Sequence, residues 1–161
     1  MNKVICTFIV SLLFIFLSCT TEKKNNDSSV EQDISYIRTL MDSVMAVSRK
    51  GDLEAYLALY TDDALWMTHN RLEDTGKEEI RDYYSWINDY TFDQKLTINE
   101  IKIAGDWAFI RFTANGWILP KPGVEGERER VISRHFTIAS RQSDGTWKLA
   151  RDMFINPRIK D

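Results

Sequence analysis

The chain has 161 residues, with 21 Lys and Arg against 24 Asp and Glu for a net charge of −3, and 43% of it is apolar. That length suits one domain with a single core, and the mild acidity argues against nucleic acid as a partner, which calls for a basic stripe. The only cysteines are Cys6 and Cys19, so the chain beyond them holds no disulfide, thiolate metal site or cysteine nucleophile.

Residues 1–18 read as a lipoprotein signal peptide. Lys3 starts it, and Val4 to Leu17 form an apolar run of signal-peptide length, too short to cross a bilayer comfortably. The run closes on Phe16-Leu17-Ser18-Cys19, which resembles a bacterial lipobox with Cys19 as the first mature residue. An ordinary secretory signal or an N-terminal anchor would share the apolar run. The resemblance implies lipidation at Cys19, several acyl chains holding the protein to a membrane, and residence in the bacterial cell envelope. Residues 1–18 carry one Lys and no acid, so the mature chain has 20 basic and 24 acidic residues. The segment 19–32 follows as the lipidated cysteine and a polar stretch, TTEKKNNDSSVEQ, of the kind that forms a flexible tether.

From residue 33 the pattern is that of a folded domain, running to 157 and followed by a short tail, 158–161. Ile34, Ile37, Met41, Val44 and Met45 recur at spacings of three and four, the apolar face of a helix. Gly51 fits its stop. Asp52 fits the N-cap of a second short helix, DLEAYLALY, with Leu53, Tyr56, Leu57 and Tyr60 on one side. Ala64 to Thr68 read as a strand. After the polar HNRLEDTG, Thr75 and Glu78 have the spacing of a capping box for a third helix, KEEIRDYYSWINDY. Beyond Phe92 the pattern is strand. Leu96 and Ile98 alternate, then Ile101 and Ile103 alternate one step out of phase, which predicts a bulge near Asn99 and Glu100. Gly105-Asp106 and Asp144-Gly145 are turn pairs, and PKPGVEGE is a loop. The order helix, helix, strand, helix, then long antiparallel strands is an α+β layout.

That order, with GDLEAYLALYTDDALWMTHN, TGKEEIRDYY and DGTWKLARDMF in these places, resembles the SnoaL-like branch of the nuclear transport factor 2-like superfamily over roughly residues 33–157. The resemblance implies a cone-shaped fold: three N-terminal helices packed on a strongly curved, mainly antiparallel sheet, with a pocket at the wide end. It leaves the chemistry open, since the same scaffold hosts isomerases, cyclases, dehydratases, epoxide hydrolases and pure binding or assembly domains.

Among candidate catalytic groups, Asp152 in WKLARDMF matches the late strand where enzymes of this group carry a proton-abstracting carboxylate. Apolar walls would raise its pKa toward working pH, and the adjacent Arg151 should point the other way. A structural carboxylate paired with Arg134 or Arg111 fits the same position. His135 shares a face with Ser133 and Thr137, either pocket lining or solvent side; His69 sits at a strand exit. Two histidines this far apart make no metal site, and no cofactor fingerprint is present. Arg111 and Thr113 share a face with Trp107, Phe109, Asn115 and Trp117, opposite the apolar Ala108, Ile110, Phe112, Ala114 and Ile118. That mixed face is either a homodimer interface across the sheet, as the superfamily implies, or a pocket wall gripping an anion through Arg111. Tyr60, Trp66, Tyr83 and Trp86 either line an apolar pocket or pack as core.

Three functions are compatible with this sequence. A lipid-anchored domain that binds a small, largely apolar molecule is the first. An isomerase, cyclase or dehydratase using Asp152, assisted by Tyr60 or His135, is the second. A ligand-free dimerisation module is the third.

Overall fold

A computed structural model of the chain describes residues 19–68 and 75–156, without the side chains of 19–28, Thr75 and Tyr83. The segments read above as signal peptide and C-terminal tail, His69, and the side chains of Cys19 and Tyr83 therefore lie outside the described residues. The chain divides after Asp33 into two compact units, and the fold below is that of the second, from Ile34. Among the described residues no helix is long and apolar enough to cross a membrane.

Helix α1 spans Cys19–Lys50. Residues 20–32, expected as a flexible tether, are thus helical. No Gly or Pro interrupts the chain from Thr20 to Lys50, so nothing local ends the helix there. In the second unit α1 buries Ile37, Leu40, Met41 and Val44, each worth roughly 1.5–3 kcal/mol relative to exposure. Gly51 ends the helix at φ +59°, and a Cβ there would lie 2.0 Å from the Tyr90 carbonyl oxygen. Only glycine fits.

Helix α2 (Leu53–Ala58) is capped by Asp52, whose side chain accepts a hydrogen bond from the Ala55 amide. It stops earlier than its apolar spacing suggests. Tyr60 already begins strand β1 (Tyr60–Thr68), where the Leu149 amide donates to the Leu59 carbonyl. A two-residue strand β2 (Thr75–Gly76) then pairs with β1. The backbone of Thr75 thus belongs to this pairing, and Gly76 rather than Thr75 is the N-cap of α3 (Lys77–Tyr83). The expected long third helix breaks after α3 into a 3₁₀ turn, Ser85–Asp89. Four long strands follow: β3 (Tyr90–Ala104), β4 (Trp107–Pro120), β5 (Glu129–Arg141) and β6 (Trp147–Ile155).

The sheet order is β2-β1-β6-β5-β4-β3, antiparallel except where β1 runs parallel to β6. One face of β4 buries Ala108, Ile110 and Phe112 in a single cluster with Ile37 and Met41 of α1, Leu57 of α2 and Ile80 of α3. This is the inner face. The outer face leaves Trp107, Phe136, Met153 and Ile155 exposed. Two bulges set which residues point inward. At Asn99 the β3–β4 register shifts by one residue, as the slipped alternation predicts. At Ala150 the β5–β6 register shifts in the same way, Ala139 facing Leu149 and Ile138 facing Arg151.

Candidate functional site

The Ala150 bulge is what brings Asp152 inside. Before it, Trp147 and Leu149 are buried; after it, the buried parity passes to Ala150 and Asp152. A regular strand would have continued the odd positions, turning Arg151 inward. Instead Arg151 points away and donates to the Asp63 backbone carbonyl at 2.9 Å.

Sheet register then assembles the surroundings. Asp152 stands beside Trp66 on one side and Thr137 on the other, while Phe154 faces His135, which faces Phe112. Directly opposed side chains on adjacent strands lie within contact distance. The His135 imidazole is accordingly stacked between two rings, 4.2 Å from Phe112 and 5.3 Å from Phe154 between centroids. Asp152 is only 3% exposed. Its Oδ1 accepts a hydrogen bond from the Thr137 hydroxyl at 2.6 Å and lies 3.3 Å from Nδ1 of His135. Nε2 of His135 lies 2.9 Å from the Ser133 hydroxyl. Arg111 instead faces Glu100 at 3.4 Å on the outer side of the sheet. Among the described residues, the basic side chain beside Asp152 is a histidine rather than an arginine.

Beside this group the inner face lines a cavity of about 300 Å³ that is partly open to solvent. Trp66, Trp86, Phe92, Phe112 and Phe154 form much of its wall, and α1 contributes Val44 and Met45. Its polar groups are Ser133, His135 and Asp152 at the β5–β6 side, the phenols of Tyr56 and Tyr84, and Gln94, Ser48 and Asn156. An apolar volume with a few grouped polar atoms is the usual form of a small-molecule site, and this one is at the small end of the range.

Of the residues singled out from sequence, Trp66, Trp86, His135 and Asp152 meet at this cavity. Tyr60 does not reach it. It is buried behind Tyr56, the two phenolic oxygens 3.0 Å apart. Arg111 lies on the opposite face of β4 because it has the outward parity of that strand, so it cannot hold a ligand in this cavity. Tyr56, Tyr84 and Ser133 line the cavity and were not singled out. Tyr56 follows from the α2 spacing already noted, and Ser133 from sharing its strand face with His135.

Burial pushes the Tyr56 phenol well above the ordinary tyrosine range, and the neighbouring Asp152 charge adds to the shift; burial does the same to Tyr60. Both therefore remain protonated donors throughout the working pH range. Among the described residues, no group of three or more His, Cys, Asp or Glu is arranged to hold a metal ion.

A mixed sheet with helices over one face and an aromatic cavity between them defines a nuclear transport factor 2-like protein. More narrowly, the SnoaL-like domain profile matches residues 41–149, and the chain belongs to that family. Solved structures agree with the fold. A conserved protein from Planctomyces limnophilus is 27% identical with a TM-score of 0.69, over 79% of this chain and 99% of its own. A ketosteroid isomerase-like protein from Erwinia carotovora atroseptica is 24% identical with a TM-score of 0.66, over 78% of this chain and 96% of its own. A putative scytalone dehydratase from Novosphingobium aromaticivorans is 15% identical with a TM-score of 0.67, over 83% of this chain and 89% of its own. No curated protein matches the chain in sequence.

Proposed function

We propose that this is a lipid-anchored envelope protein whose SnoaL-like domain binds a small, largely apolar ring compound and moves a proton on it with Asp152. The observation that carries the catalytic part is the state of Asp152: buried, free of Arg or Lys among the described residues, and held by Thr137 and His135 beside an aromatic cavity. Both contacts fall on Oδ1, which leaves Oδ2 as the oxygen to take a proton from carbon next to a carbonyl. Apolar walls keep water from competing for that oxygen, and His135 stabilises the carboxylate as an oriented partner. The Tyr56 phenol, on the same lining, can donate to the oxygen on which negative charge develops. Similarity to structures named as isomerase-like and dehydratase agrees with proton chemistry without specifying a substrate.

A ligand-free assembly domain has less support, because a cavity of about 300 Å³ is what a solidly packed interior lacks. The anchor at Cys19 rests on the lipobox-like end of the signal and places whatever the cavity meets in the periplasm or at the cell surface.

Two measurements test the reading. Native mass spectrometry of the protein purified from its own envelope should show a retained small molecule and a diacyl or triacyl mass on Cys19. In D₂O, cyclic ketones that fit the cavity should exchange their α-protons. Asp152→Asn should slow exchange at least ~100-fold while changing ketone affinity only a few-fold. Unchanged exchange in that variant rules Asp152 out as the base.

A further inference from the structure

Proton bookkeeping at His135 leads beyond a carboxylate base. An ionised Asp152 can only accept hydrogen bonds, so with a neutral imidazole the proton of His135 sits on Nδ1, directed at Oδ1 3.3 Å away. Nε2 then carries a lone pair. Ser133 lies 2.9 Å from it, and its hydroxyl must be the donor in that bond. Thr137 donates to the same Oδ1 at 2.6 Å and fixes the carboxylate. Serine hydroxyl to imidazole Nε2, and imidazole Nδ1–H to a buried carboxylate, is the connectivity that activates a serine nucleophile, a constellation recognised by geometry rather than by fold or chain order.

The surroundings support a chemical use of this relay. Stacking between Phe112 and Phe154 prevents the imidazole from turning away. Ser133, 8% exposed, is itself on the lining of the cavity that Trp66 and Trp86 also line. No nucleophile-elbow motif occurs in the sequence. The relay comes instead from positions i and i+2 on one face of β5 and a diagonal neighbour on β6.

We infer that Ser133, His135 and Asp152 form a nucleophilic triad, and that the cavity accepts carboxylic esters with a compact aromatic or alicyclic acyl group. In the acylation step the Ser133 oxygen bonds to the ester carbonyl carbon as its proton passes to Nε2. The carbon–oxygen bond to the leaving group then breaks, and that oxygen departs as an alcohol with the proton from Nε2. In the second half a water molecule gives one proton to Nε2 and adds its oxygen to the acyl carbon. Ser133 leaves with the proton returned, and a carboxylic acid is released. The backbone around Ser133 is committed to the β4–β5 ladder, where Ser133 faces Ala114. The side chains on the lining that would serve as oxyanion donors are the Tyr56 phenol and the amides of Gln94 and Asn156.

This inference shares the cavity with the reading above but not its reaction, and the two fail separately. The test is covalent labelling of the envelope-purified protein with an aryl fluorophosphonate, read by intact mass and peptide mapping. One adduct per chain is expected, on the tryptic peptide 131–134, whose only serine is Ser133. Ser133→Ala should abolish the adduct, and His135→Gln should slow its formation at least ~100-fold. A circular dichroism spectrum like that of the parent shows that each variant is folded. Hydrolysis of aryl benzoates should fall with the same variants. A protein that exchanges ketone protons yet takes no adduct at Ser133 overturns the triad and leaves the proton-transfer reading standing. An adduct at Ser133 without ketone exchange upholds the triad and removes the other.

Discussion

At the scale of single residues, the interior is organised by where polar atoms find partners within an aromatic shell. Trp66 touches the rings of Tyr56, Tyr60, Tyr84 and Phe154, and the phenols of Tyr56 and Tyr60 bond to each other inside this cluster. Ionising either would place a negative charge in an apolar setting near Asp152, which is why both phenols are raised. The sign for stability follows. A group whose pKa is higher in the folded state contributes its full stabilisation below the unfolded value, about 10 for tyrosine, and that contribution is lost as pH rises above it. Absorbance at 295 nm should therefore show at least two of the six tyrosines silent near pH 10 and ionising only with alkaline unfolding. Six tyrosines titrating together in the folded protein would contradict this account. The same scale limits what sequence could reveal of the site. Asp152 and His135 were legible as candidate titratable groups, with the face of His135 left open between pocket lining and solvent side, and Trp66 and Trp86 as aromatics. Their mutual contacts were not, because stacking His135 on Phe112 and Phe154 depends on register across three strands distant in the chain. Arg111 shows the reverse: its parity correctly separated it from Phe112, but parity alone did not say which face holds the cavity.

Among the elements, the strands were the most readable part because a half-buried strand writes its alternation into the sequence. The Asn99 bulge was visible for the same reason, as bulky Ile98 and Ile101 lie on either side of the slip. The Ala150 bulge left no such trace, since one small residue between Leu149 and Arg151 does not disturb the apolar count. Yet it decides that Asp152 faces the cavity. The helices were less legible where pairing outcompeted propensity, as at Tyr60 and Thr75, which β1 and β2 claim. One junction joins several elements. Lys121, just after β4, donates through Nζ to the carbonyls of Gly51 at 3.1 Å and Asn88 at 2.7 Å. It thereby ties the end of α1 to the 3₁₀ turn beside the cavity. A cation on the last carbonyls also suits the helix dipole. Lys121→Met should cost about 1–2 kcal/mol by leaving two carbonyls without their donor. Gly51→Ala should cost more, at least about 2 kcal/mol, because the left-handed backbone and the Tyr90 carbonyl both oppose a Cβ. Urea unfolding checks both, and a Gly51→Ala midpoint equal to the parent would refute the close approach.

For the molecule as a whole, the question is what the outer face of the sheet is for. Trp107, Phe136, Met153 and Ile155 are each more than two-fifths exposed there, and Phe109 packs against Phe136. A cluster of large apolar side chains on one face is unfavourable in water unless something covers it. On that face Arg111 pairs with Glu100 between β4 and β3, Arg134 of β5 is exposed, and Phe136, Met153 and Ile155 form the apolar part on β5 and β6. We propose that a second copy of this chain covers it. Four neighbouring strands at ordinary spacing present on the order of 800 Å² per protomer, the size of a stable interface. A two-fold arrangement lets the same patch meet itself, apolar centre to apolar centre, with the charged β3 edge at the rim. It also leaves the cavity free, because that opens on the opposite face of the sheet. Light scattering at about 10 µM should give twice the chain mass, and Phe136→Asp with Met153→Asp should halve it. The variant should keep the parent's fluorophosphonate adduct, since neither residue touches the cavity. A parent protein that is monomeric at this concentration would remove the dimer, and an adduct lost together with the dimer would show that the two faces are not independent.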